Sequence, residues 1–136
     1  MKNGGMLNMA GNKYGAKKIK DPATGFVFDS KREFTRWCEL RILERVGQIY
    51  GLRRQVKYEL IPTQREVNTE VYKAGPQKGL PKPGAVIEKP CFYVADFVYY
   101  ENGKLVVEDC KGCVTEVFKL KKKLMLWVHG IRIRIT

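Results

Sequence analysis

Two aspartates and a lysine carry the sharpest chemical signal in this chain. Asp96 lies in residues 91–99, Cys-Phe-Tyr-Val-Ala-Asp-Phe-Val-Tyr, a run apolar on both faces that fits a buried central strand. Asp109 and Lys111 lie in residues 105–111, Leu-Val-Val-Glu-Asp-Cys-Lys, which read as the return strand. Between the two runs stands Glu101-Asn102-Gly103-Lys104. Asn-Gly is the strongest short hairpin signal, because a type I′ turn needs positive φ at both central residues. With Asn102 and Gly103 as the turn, Glu101 faces Lys104, Tyr100 faces Leu105, Phe97 faces Glu108 and Asp96 faces Asp109. Opposed residues share a face, with Cβ atoms roughly 4.5–5.5 Å apart.

Two carboxylates are thereby set side by side in an apolar sheet. Like charges directly opposite one another destabilise a sheet, and a buried charge must be paired, protonated or metal-bound. Lys111 is two residues past Asp109 and points to the same face, while Glu108 and Cys110 point to the other, so Glu108 is expected as an exposed or cross-strand polar residue. A divalent cation is the simplest compensation, and two hard oxygen ligands suit Mg²⁺ or Mn²⁺. The plain alternatives are a salt bridge between Lys111 and Asp109, or a one-residue register slip, which would bury Glu108 instead. The chemistry that fits the metal reading is phosphodiester hydrolysis. A lysine among carboxylates stays protonated unless desolvated, so Lys111 suits orientation of a water and electrostatic stabilisation better than proton abstraction.

Composition narrows the field further. The chain has 136 residues, 44% hydrophobic and 29% charged, which is one folded domain's worth and not a disordered chain. With a single histidine, His129, it lacks the residues for two-histidine acid–base catalysis, an HExxH zinc site or a His-finger nuclease. His129 reads as a helix C-terminal residue. No apolar run approaches the ~18 residues a membrane span needs, and residues 1–20 have no apolar segment of the signal-peptide kind. The expected location is therefore the cytoplasm, with no membrane partner, and the four cysteines are expected as free thiols. Cys110-x-x-Cys113 has no second ligand pair for zinc and lies in a strand rather than at the start of a helix, so it reads as incidental.

Charge is unevenly placed. The net charge is +12, and residues 1–20 and 117–136 hold eleven basic residues and no acid. A polyanion is the natural partner, a solvated basic surface the bland reading. Residues 1–25 read as a flexible basic arm, broken by glycines, ahead of a single domain over residues 26–136.

The elements that must position the site follow from periodicity. Residues 30–46 predict a helix: Asp29 and Ser30 are N-caps, Glu33 has the capping-box spacing from Ser30, and Gly47 is a stop. Phe34, Trp37, Cys38, Leu40, Leu43 and Val46 give its apolar stripe. Residues 52–61 alternate as a strand, and residues 74–90, with four prolines and three glycines, read as a long loop. Thr115 caps a second helix at 116–129 with Val117, Leu120, Leu124, Trp127 and Val128 as core stripe and Gly130 as end; residues 131–135 alternate as a last strand. The fold class is α/β, one mixed sheet flanked by helices.

Asp96, then Asp109-x-Lys111 after a turn, resembles the PD-(D/E)XK nuclease superfamily, with Ala95 in place of its proline. The order helix, strands, hairpin, helix, strand is similar to that superfamily's αβββαβ restriction-endonuclease-like core. The stretches Phe28-Asp29-Ser30-Lys31-Arg32-Glu33, Leu52-Arg53-Arg54-Gln55-Val56 and Val107-Glu108-Asp109-Cys110-Lys111-Gly112 resemble the short phage and prophage family known as domain of unknown function 1064. The resemblance implies a Mg²⁺- or Mn²⁺-dependent DNA endonuclease. Asp96 and Asp109 would bind metal, Glu33 would bind it directly or through water, Lys111 would be the catalytic lysine, and Gln55 would approach the site. The bland role of Glu33 is the capping box.

Lys13, Lys17, Lys18 and Lys20 at the N-terminal end, with Lys119, Lys121, Lys122 and Lys123 on the second helix, would contact phosphates. No recognition helix for bases is visible. That favours a structure-selective nuclease for branched DNA such as Holliday junctions, or a nonspecific one, in phage recombination or replication. A resolvase cuts symmetrically and so favours a homodimer, although no dimer surface is legible. The rivals are a non-catalytic DNA-binding protein with a degenerate nuclease fold, and an RNA-directed role.

Overall fold

A computed structural model describes residues 17–136. Its strands and helices are β1 (Ile19–Lys20), β2 (Val27–Phe28), α1 (Lys31–Arg45), β3 (Ile49–Ile61), β4 (Gln64–Arg65), β5 (Val86–Glu88), β6 (Cys91–Glu101), β7 (Lys104–Asp109), α2 (Glu116–His129) and β8 (Arg134–Ile135). β3, β6, β7 and β8 form, in that order, a four-stranded sheet. β7 is antiparallel to β6 and parallel to β8, so the sheet is mixed. The fold is α/β, as the periodicity predicts. Lys13 and most of the expected N-terminal arm lie outside the described residues, but Ile19 and Lys20 pair with Phe28 and Val27 as a short ladder rather than extending as an arm.

The chain divides into two compact units. One runs through Val56 and takes in Ala95–Val114 and Ile133–Thr136; the other comprises Lys57–Val94 and Thr115–Arg132. The core of the first is built where α1 lies over the sheet. Phe28, Trp37, Leu40, Ile49, Phe97, Tyr99 and Val106 are buried together, with Phe34, Leu43, Leu52 and Cys110 packed against them. Trp37 stacks on Phe97 with ring centroids 6.1 Å apart. Helix α1 begins where its cap requires: the Ser30 hydroxyl accepts from the Glu33 amide at 3.1 Å, a contact that typically stabilises by ~1 kcal/mol. Of the predicted stripe, Trp37 and Leu40 are buried, whereas Cys38 and Val46 are exposed.

In the second unit, residues 74–90 are more ordered than a loop. β5 pairs with β4, Val71 bridges Pro81, and Gly84 lies so close to Glu66 that an added Cβ would fall 1.8 Å from the Glu66 carbonyl oxygen. Helix α2 has its predicted bounds, with the Thr115 hydroxyl accepting from Phe118 N–H and Gly130 in the left-handed region at φ 68°. Its core face is not the predicted one. Phe118 and Met125 are buried, while Val117, Leu120, Trp127 and Val128 are exposed, Trp127 at 87%. Phe118 packs on Tyr93, and the His129 ring nitrogen meets the Glu59 carbonyl at 2.7 Å. These contacts turn the other side of the helix inward.

Candidate functional site

The hairpin that carries the candidate acids has the predicted register. Glu101 pairs with Lys104, Tyr100 with Leu105, Tyr99 with Val106, Val98 with Val107 and Phe97 with Glu108. Asn102 and Gly103 both have positive φ, 52° and 75°, as a type I′ turn needs. The ladder pairs end at Phe97 and Glu108. One step further, the Asp96 carboxylate accepts from the Cys110 amide at 2.8 Å, so it is held by the backbone between Asp109 and Lys111.

Asp96, Asp109, Glu33 and Lys111 come together. Asp109 is 2% exposed and its Oδ1 lies 3.2 Å from Lys111 Nζ, the salt bridge anticipated as the plain alternative. Burial, then the charge of Asp109, pushes the Asp96 carboxyl up to about 7; Glu33 adds to the push, while the Cys110 amide and Lys111 oppose it. Glu33, 6% exposed, is also raised, first by burial and then by Asp29, with Arg54 opposing. Arg54 Nη2 lies 3.6 Å from Glu33, and its guanidinium sits 4.3 Å from the Phe28 ring centroid. Glu33 therefore does more than cap α1: its charge reaches Asp96. Three carboxylates face two cations here.

That balance is the observation that bears on a metal. The Asp96–Asp109 pair suits a hard cation that keeps several waters. Among the described residues, no three His, Cys, Asp or Glu side chains are grouped closely enough to hold an ion by themselves. Two carboxylates are the hard oxygen donors that Mg²⁺ or Mn²⁺ would take, and Asp96 and Asp109 are the residues that would supply them.

Gln55 is not brought to these groups by any side-chain hydrogen bond. It is exposed on β3 and holds φ 54°, the left-handed region that costs a non-glycine residue on the order of 1 kcal/mol or more. Lys17 and Lys18 are exposed, Lys18 3.9 Å from Asp29. Lys119, Lys122 and Lys123 are exposed and Lys121 half-buried on α2, with Lys119 paired to Glu116 at 3.0 Å.

Glu108 corrects the sequence reading. Expected as exposed or merely cross-strand, it is completely buried. Arg36 grips it with two bonds, Nε to Oε1 at 2.6 Å and Nη2 to Oε2 at 3.1 Å, while Tyr99 donates to Oε2 at 2.6 Å and Thr136 to Oε1 at 3.1 Å. Burial alone would raise its carboxyl, but these donors outweigh burial and hold it below the ordinary range. Burial, then the bond to Glu108 and its charge, pushes the Tyr99 phenol up to about 12. Sequence reasoning missed Arg36 and Tyr99 entirely. The available signal was that Glu108 follows an apolar run, as Asp96 does, in a strand flanked on both sides.

Thr136 closes the backbone around the site. Thr136 N–H donates to the Asp109 carbonyl at 2.9 Å, and Lys111 N–H donates to the Thr136 carbonyl at 3.1 Å. Cys110 lies between these two bonds, and burial lifts its thiol to about 11, so it stays protonated and unreactive at neutral pH. All four cysteines are free.

A helix-and-mixed-sheet unit with an acid pair at the hairpin's end, Asp109 buried and Asp96 half-buried, defines the class of fold and site. The family described as Protein of unknown function (DUF1064) matches residues 11–130, and the chain belongs to it. No curated protein and no solved structure compared with the chain matches it. Among the described residues, no helix is long and apolar enough to cross a membrane.

Proposed function

We propose that this protein is a Mg²⁺- or Mn²⁺-dependent DNA endonuclease with a restriction-endonuclease-like αβββαβ core of the PD-(D/E)XK kind. The observation that carries the reading is the Asp96–Asp109–Lys111 cluster. Two carboxylates and an ammonium stand at the end of a hairpin, Asp96 held by the Cys110 amide and Asp109 by the Lys111 ammonium, at a cost that Val or Ile in their places would avoid. Asp96 and Asp109 would hold the cation, with Glu33 behind it. When bound, the cation supplies Lewis-acid polarisation of a phosphate and a more acidic water. Lys111, salt-bridged to Asp109, is a fixed positive charge that orients the attacking water and offsets charge building on phosphorus. The basic residues Lys17, Lys18, Lys119, Lys121, Lys122 and Lys123, with Lys13, contact DNA phosphates and carry no sequence readout. The substrate is then branched DNA for a structure-selective enzyme, or any DNA for a nonspecific one, met in the host cytoplasm during phage recombination or replication, and a junction-cutting enzyme acts as a homodimer.

The test is a panel of labelled four-way junction, flap, linear duplex, single strand and RNA, with Mg²⁺, Mn²⁺ or EDTA. Metal-dependent cleavage of DNA, lost in Asp109→Asn and Lys111→Ala, is the expected result. Binding without cleavage of any substrate identifies the rival, a non-catalytic DNA-binding protein. Cleavage that survives both substitutions places the site elsewhere.

A further inference from the structure

Beside the acid cluster lies a second feature that the cleavage chemistry does not use. A cleft of about 510 Å³ opens between α1 and the end of the sheet, with Lys31, Arg32, Thr35, Arg36 and Glu39 on one side and Cys110 and Thr136 on the other. Its volume is that of small-molecule sites, which run from roughly 300 to 1,000 Å³.

The lining has two chemical parts. Arg36 is spent on Glu108 and Glu39. Lys31 and Arg32 are exposed and make no ion pair or side-chain hydrogen bond among the described residues, so both charges are available to an anion. The rest of the wall is mostly apolar surface, to which Thr35, Cys110 and Thr136 contribute. Such a site takes a flat ring against the wall and a phosphate on the cations. Glu39 adds a carboxylate acceptor, the group that pairs with an exocyclic amino group of a base.

We propose that this cleft binds one unpaired nucleotide, its phosphate on Lys31 and Arg32 and its base against Thr35, Cys110 and Thr136. The Cys110 side chain lines the cleft on the Glu108 face of the strand, while its amide holds the Asp96 carboxylate, so the cleft and the acid cluster share this one residue. The assignment of that nucleotide to a DNA strand rests on the nuclease reading; the binding itself is measured without cleavage.

The probes are dCMP, deoxycytidine and inorganic phosphate, each titrated into the full chain in EDTA while amide NMR shifts are followed. The expected result is that dCMP shifts the Thr35, Cys110 and Thr136 amides with millimolar or tighter affinity, and that deoxycytidine and phosphate each bind about tenfold more weakly or worse. Lys31→Ala/Arg32→Ala weakens dCMP at least about tenfold, and the melting temperature stays put because both side chains are exposed. A short unpaired oligodeoxycytidine displaces dCMP. Absence of shifts at millimolar dCMP, phosphate binding as well as dCMP, or an unchanged affinity in the double variant overturns the cleft as a nucleotide site. Failure of the oligonucleotide to compete overturns the strand assignment. The two readings separate cleanly: dCMP binding with no DNA cleaved leaves the cleft and removes the nuclease, while metal-dependent cleavage without dCMP binding does the reverse.

Discussion

Arg36 closes a two-pronged bond on the fully buried Glu108, with Nε 2.6 Å from Oε1 and Nη2 3.1 Å from Oε2. The pair ties α1 to β7, the strand that ends in Asp109. Removing one partner of a buried pair strands the other charge, at a cost of about 3–5 kcal/mol. Arg36→Met and Glu108→Gln are each expected to lower unfolding free energy in urea by roughly 3 kcal/mol. The double variant should recover part of the loss, because no lone charge remains. Single losses that simply add would show that the pair is not a unit.

The burial of Asp96 makes stability depend on pH. Its carboxyl sits at about 7 in the folded chain against 3.8 for an ordinary aspartate. Between those values the folded chain keeps a proton that the unfolded chain has lost. Stability therefore falls as pH rises across that window, and the penalty is complete above it. In EDTA, Asp96→Asn should raise the melting temperature at about pH 8, by an amount corresponding to roughly 1–2 kcal/mol, and leave it nearly unchanged at about pH 4. An Asn variant that melts lower at the alkaline pH would contradict this account.

A bound cation should act in the opposite sense. Mg²⁺ or Mn²⁺ at ten times its dissociation constant stabilises by about 1.4 kcal/mol, a few degrees for a chain of this size. Differential scanning fluorimetry should show that rise at about pH 8, a smaller one at about pH 6 where Asp96 must first release its proton, and almost none in Asp109→Asn. An equal rise in Asp109→Asn would place the ion elsewhere.

On α2, the buried and exposed aromatics should behave differently. Phe118 is 4% exposed and packs on Tyr93, whereas Trp127 is 87% exposed. Phe118→Ala should cost about 3 kcal/mol or more, and Trp127→Ala less than about 0.5 kcal/mol. A large loss on replacing Trp127 would mean that α2 is covered in solution.

Much of the α/β architecture and of the candidate site could be read from residue order because its determinants are local. Asn102-Gly103 admits essentially one tight turn, and that turn carries the register out to Phe97 and Glu108. Ser30 and Gly130 mark helix ends through their own backbone needs. What escaped depends on partners far along the chain. Glu108 looks like any polar strand residue until Arg36, Tyr99 and Thr136 arrive around it. The facing of α2 escaped for a related reason: its apolar residues occupy most of the helix, so periodicity names two faces, and contacts with Tyr93 and Glu59 select one. Residues 74–90 looked like a loop because glycine and proline mark turns, yet Gly84 is there to let two backbones touch.

The two hydrogen bonds of Thr136 on either side of Cys110 have a kinetic consequence. The β6–β7 hairpin closes through neighbouring residues, an event of roughly 1–10 μs. The clasp by Thr136 must wait until the chain that includes the whole of α2 has returned to lie parallel to β7. The hairpin thus runs on a fast clock and the backbone of Asp109 and Lys111 on a slow one. In pulse-labelled refolding, the amides of the hairpin should be protected before that of Lys111. Simultaneous protection would mean that turn and clasp form as one event.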